Sequence, residues 1–236
     1  MGEARTDAGV WTVQARAESK RVERPTRKLN PLRAYTACVS VMGAGLLIWS
    51  LSDGSTLSLH VLLFVVLVVL AELTTSEVFS SQIAFTMSSA VHFAALLLFG
   101  VPSAVLIAMV GGLTATLVID TARKHQGRPS PVSILQRVPF NMASLGLAIV
   151  VAGNVYVLLG GQLGDIARSS NLLAMVLAAV TTEVANTILV IKAVSLQTGI
   201  PSVQVWKKNV SWALPIQLLT MVVGGGGLAL GYQIAG

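Results

Sequence analysis

Long apolar blocks, separated by short polar or glycine- and proline-bearing stretches, set the pattern of this chain. Seven blocks can be marked: Leu32–Leu51, Leu57–Ala71, Ile83–Phe99, Pro102–Ile119, Val138–Leu159, Leu172–Val194 and Val210–Ile234. Within each block the apolar residues run on instead of alternating with polar ones. A hydrocarbon core about 30 Å thick takes about 20 residues of helix, so each block predicts a membrane span. The second block is short and would be completed by its flanks or by tilt. The predicted fold is all-α, a polytopic transmembrane helix bundle of about seven spans filling residues 32–236.

The joints refine this picture. The third and fourth blocks touch at "FGVPSA", where Gly100 and Pro102 supply turn chemistry and predict a tight helical hairpin. Proline suits the first position of the following helix, because that amide has no intrahelical partner anyway. Glu72, Thr74, Thr75, Ser76, Glu77, Ser80, Ser81 and Gln82 predict a loop too polar for lipid and too uncharged for an ordinary cytoplasmic face. The run "VGGGGLAL" weakens the last helix by about 1 kcal/mol per glycine relative to alanine. Two compensations are open, close backbone packing between helices or a broken helix lining a site.

Composition agrees with a membrane bundle: 54% of the residues are hydrophobic and 11% charged, against roughly a quarter charged in a soluble domain. The net charge of +6 is uneven, with eight of the sixteen basic residues before Val39. Beside a membrane helix such a cluster reads as a topology signal and not as a nucleic-acid surface. Residues 1–31 are expected to form a disordered basic cytoplasmic arm and a retained anchor, since no clean cleavage site follows Leu51. Arg123, Lys124, Arg128 and Arg137 in one loop, and Lys207 and Lys208 in another, fall on the same side as that arm if seven spans start inside. The expected location is the bacterial cytoplasmic (inner) membrane with the N-terminus in the cytoplasm. The single cysteine, Cys38, leaves no intrachain disulfide and no cysteine-based metal site.

Chemistry must then come from polar residues inside apolar blocks. In "VTTEVANTILVIK", Glu183, Asn186 and Thr187 stand at i, i+3 and i+4 and share a helical face. Lys192 lies near the predicted cytoplasmic end and can snorkel to the headgroups. Glu183 has no such escape, and a charge at the centre of a span costs on the order of 3 kcal/mol. This face is either the polar wall of a ligand cavity or proton path, or an interhelical clamp. Ser88 and His92, one turn apart, continue the polar loop that contains Glu72 and Glu77. His92 is either a ligand-binding or titrating group or a packed core residue. Asn141 sits just inside the fifth block, with Arg137 as an interfacial anchor. These eight residues, Glu183, Asn186, Thr187, His92, Ser88, Glu77, Glu72 and Asn141, are the candidate ligand-binding set. No histidine, cysteine or carboxylate spacing suggests a metal, no cofactor is expected, and no nucleotide, protease or hydrolase motif points to catalysis.

Several of these patterns resemble a known family. Leu98-Phe99-Gly100, Phe140-Asn141, Asn186-Thr187, and Trp206 with Asn209, Trp212 and Pro215 are similar to the bacterial MASE-type multi-helix membrane sensory modules, over about Leu57 to Ala235. Such modules precede HD-GYP phosphodiesterase or GGDEF diguanylate cyclase domains. The resemblance implies a non-catalytic input module for cyclic-di-GMP signalling, with a small-molecule ligand and a cytoplasmic signalling enzyme or a homodimer as candidate partners besides the bilayer. It also implies a further helix and an effector after the last span. The polar loop followed by "FAALLLFGVPSAVLIAMVGGL" is similar, too, to the substrate-binding membrane components of energy-coupling-factor vitamin transporters. The predicted orientation inverts that arrangement. A scaffold whose polar residues only clamp helices is the third reading.

Overall fold

The computed structural model describes residues 30–235 apart from 75, 80–82, 86, 128–129, 131, 167, 169–170, 210 and 212. The expected basic arm lies outside the described residues up to residue 29. From there the chain forms α1 (Pro31–Ser52), α2 (Leu59–Leu73), a strand pair β1 (Ser76–Phe79) and β2 (Ile83–Phe85), α3 (Ser88–His125), α4 (Ile134–Leu158), α5 (Asn171–Thr198), a short α6 (Ser202–Asn209), and a last helix. The last helix runs as α7 (Leu214–Leu219), a π-helical turn (Thr220–Gly225) and α8 (Gly226–Ala235). Among the described residues, five helices are long and apolar enough to cross a membrane by length and composition, and α2 is a shorter apolar helix.

The continuous stretch α3 is two helices. Gly100 has φ 80° and ψ −178°, a left-handed-side conformation closed to most side chains, and Pro102 opens the second arm. His92 of the first arm packs against Gly111 of the second, which a straight helix would hold nearly 30 Å apart. The chain therefore reverses at Gly100, and the hairpin expected at "FGVPSA" is present.

The third apolar block was expected to be helical from Ile83, but the helix starts at Ser88. Residues 83–85 instead pair antiparallel with β1, Phe79 opposite Ile83 and Ser76 opposite Phe85, with a register irregularity between. β-branched and aromatic residues in "EVF" and "IAF" favour a pleated pair. The serines and threonines around them offer the backbone hydrogen bonds that compete with helix. The first arm of α3 is consequently short, about 18 Å at 1.5 Å per residue, and α2 is about 22 Å. α2 starts and the first arm ends at the same end of the bundle, where Phe64 and Phe99 meet Tyr232. The strand pair joins their other ends.

The first arm is the centre of the bundle: Phe93, Ala94, Ala95, Leu96 and Leu97 have no exposed surface. Around it, α1 buries one stripe, with Leu32, Thr36, Val39 and Gly43 toward α4 and Ser50 donating to the Pro102 carbonyl of α3 at 2.6 Å. There Gly43 lies so near Ala143 that an added Cβ would come within 2.8 Å of its Cα, the small-residue contact that membrane helices use to approach. The outward surface is apolar, with Val41, Ile48, Leu59, Leu135, Leu158 and Ile234 each more than two-thirds exposed. Such a belt would aggregate in water and is wetted by lipid.

Candidate functional site

The α5 face anticipated from sequence exists in part. Thr182, Glu183 and Thr187 are buried and Asn186 is half-buried, with its Oδ1 shielded and without a hydrogen-bond partner among the described residues. Glu183 makes no hydrogen bond or ion pair there either, although it lies mid-helix with only 8% of its surface exposed. Met175, Ala179, Thr182 and Asn186 fall at i, i+4, i+7 and i+11 along one stripe. That stripe meets the last helix, since Met175 packs at Gly226.

The last helix is irregular at this level. Its π turn widens the backbone between Thr220 and Gly225, a deviation frequent at functional sites. The glycine that closes it allows close approach: a Cβ on Gly225 would sit 2.8 Å from the carbonyl oxygen of Ala90. Of the two compensations open for the tetraglycine, close packing on the first arm of α3 is observed.

On that first arm, Ser88 and His92 are both buried. His92 fills the space left by the missing side chain of Gly111 and touches the region of Val68 on α2. Its Nε2 has no hydrogen-bond partner among the described residues, and neither has the shielded Oγ of Ser89. Glu72 is buried in the last turn of α2. Glu77 lies on β1, and its side chain is outside the described residues.

Asn141 is separate from these groups. Its Nδ2 donates to Thr116 Oγ1 at 2.8 Å, and Thr116 Oγ1 donates to the Gly112 carbonyl at 2.7 Å, which ties α4 to the second arm of α3. One turn earlier Arg137 pairs with Asp120, and Lys124 reaches the other oxygen of the same carboxylate at 2.8 Å. Arg137, expected as an interfacial anchor, is thus a structural partner between α4 and the second arm of α3. Asp120 was lost in the sequence among the basic residues of its loop, although its i, i+4 spacing to Lys124 was a visible signal. At this basic end, Thr36 of α1, Gln136, Arg137, Phe140 and Asn141 of α4, and Ala193 of α5 line a cavity of about 160 Å³.

At the opposite end His60 Nδ1 and the Tyr232 hydroxyl share a hydrogen bond, beside the ring cluster of Phe64, Phe99 and Tyr232. His60 opens an apolar block and carried no sequence signal beyond its residue type. Among the described residues no three histidine, cysteine, aspartate or glutamate side chains gather as a metal site would require.

No curated protein matches the chain, and no solved structure matches it. The family model MASE9 matches residues 47–226, from the end of α1 to the first residue of α8. That span contains the helical hairpin, the α5 polar face and the π turn together. With most of its length matched, this multi-pass helical chain belongs to the MASE9 family, a membrane-associated sensory domain.

Proposed function

We propose that this module is the input part of a cyclic-di-GMP signalling protein, and that the signal is received on the α5 face bearing Glu183, Asn186 and Thr187. The observation that carries the reading is that Glu183 is buried mid-helix and the neighbouring Asn186 Oδ1 is shielded, each without a partner among the described residues. An ionisable or amide group inside a bilayer is costly unless it is paired. The neighbouring π turn gives the last helix a place to change register when that face is engaged. The basic end is then cytoplasmic, in the inner membrane, and the output is an HD-GYP or GGDEF enzyme joined to the module or held by it.

The test is to read the gene past the Gly236 codon and to crosslink the chain in its native membranes. An open frame entering an HD-GYP or GGDEF domain, or such an enzyme crosslinked to the chain, is the expected result. A frame that stops, with no such enzyme crosslinked, overturns the proposal.

A further inference from the structure

The cavity at the basic end belongs to neither the α5 face nor the π turn. It lies between α1, α4 and α5, with a volume of about 160 Å³. Most of its wall is apolar, including Leu32, Phe140 and Ala193. Its charged wall is Arg137, whose side chain is 17% exposed.

Two features of Arg137 are unresolved by its own surroundings. Its Nη2 pairs with Asp120, but Asp120 is shared with Lys124, so two cations face one carboxylate and one positive charge is left over. Its Nε is buried and has no acceptor among the described residues. A shielded guanidinium donor without an acceptor forfeits a charge-assisted hydrogen bond, the strong kind. An open groove of about 340 Å³ lies alongside, sharing Thr36 and Gln136 with the cavity and bringing Arg33 to the approach. A cavity of about 150 Å³ is large enough to hold benzene.

We infer that this cavity is a binding site for a small organic carboxylate. The carboxylate is held by the Arg137 guanidinium, which turns to present an N–H not engaged with Asp120, and it neutralises the residual charge. The body, a single ring or a short chain of about six to ten non-hydrogen atoms, rests on Phe140 and Ala193. Arg33 draws the anion toward the groove. Arginine suits this role better than lysine because its planar fork offers a second directed donor while the first remains on Asp120.

The test uses the full chain purified in detergent, with sodium benzoate as probe and thermal unfolding as readout. At equal ionic strength, benzoate should raise the unfolding temperature progressively with concentration, and benzyl alcohol should not. Ala193→Leu fills the cavity without touching a charge, and should abolish the benzoate shift while the unfolding transition remains. Arg137→Lys keeps the charge but removes the Nε donor, and should weaken apparent affinity about tenfold, the factor expected for one good hydrogen bond. No shift with benzoate, an equal shift with benzyl alcohol, or an undiminished shift in Ala193→Leu would each overturn the inference. Because the readout is binding alone, none of these outcomes bears on whether the module drives a cyclic-di-GMP enzyme.

Discussion

The contact between the last helix and the first arm of α3 can be tested with two single-methyl substitutions in the tetraglycine. Gly225→Ala places a Cβ 2.8 Å from the Ala90 carbonyl oxygen and 3.2 Å from Cβ and Cδ1 of Phe93. A comfortable carbon–oxygen approach is about 3.3–3.6 Å, so the helices must part by roughly half an ångström. The obstacle is backbone in the most buried arm of the bundle and cannot swing aside. Overpacking of this kind costs about 1–3 kcal/mol. Gly227→Ala meets nothing within 4 Å, so it keeps only the gain of replacing glycine in a helix, up to about 1 kcal/mol. That propensity gain is common to both variants, and the difference between them isolates the steric cost. At about 2–4 °C per kcal/mol for a chain of this size, Gly225→Ala should unfold on the order of 2–12 °C below Gly227→Ala. Tryptophan fluorescence during heating in detergent reads the difference. If Gly225→Ala proves as stable as Gly227→Ala, the last helix does not pack on the first arm as described.

Further outcomes are expected elsewhere. Asn141→Ala should cost about 0.6–1.7 kcal/mol, the range for an interhelical hydrogen bond in a membrane. Combined with Thr116→Val it should cost less than the sum of the two, and strict additivity in unfolding measurements would refute the pair. Asn186→Leu removes a shielded amide oxygen that has no partner, and should raise stability by about 1 kcal/mol; a large loss of stability would mean that Asn186 clamps helices. A reporter fused after Gly236 should be active only when it functions outside the cytoplasm, and cytoplasmic activity would reject the seven-pass orientation with the basic end inside.

The helical fold was legible because lipid imposes a coarse rule: a span must be long and apolar, and these blocks are. The turn at Gly100 and Pro102 was legible because both residues carry strong backbone constraints within three positions. The start of the third block was not. "IAF" is apolar enough for a helix, and only pairing with "EVF", six residues earlier, makes it a strand. The α5 face was readable from the i, i+3, i+4 spacing of Glu183, Asn186 and Thr187, because helical periodicity fixes which side chains share a side. What that face meets depends on how helices distant in sequence cross, and Met175 against Gly226 left no mark along the chain. The same holds for Arg137, whose partner Asp120 lies in another helix across a basic loop that hid a lone carboxylate. The likeness of "FAALLLFGVPSAVLIAMVGGL" to transporter components reflected the apolar hairpin itself, which many membrane folds share.

The most direct test of the central claim is the cyclic-di-GMP content of cells carrying the gene with its complete reading frame and native partners. Glu183→Leu and Asn186→Leu, both held in the membrane at the level of the unmodified protein, are predicted to shift that content away from the unmodified value. Unchanged cyclic-di-GMP in both variants would contradict a module that receives its signal on this face and passes it to a cyclic-di-GMP enzyme.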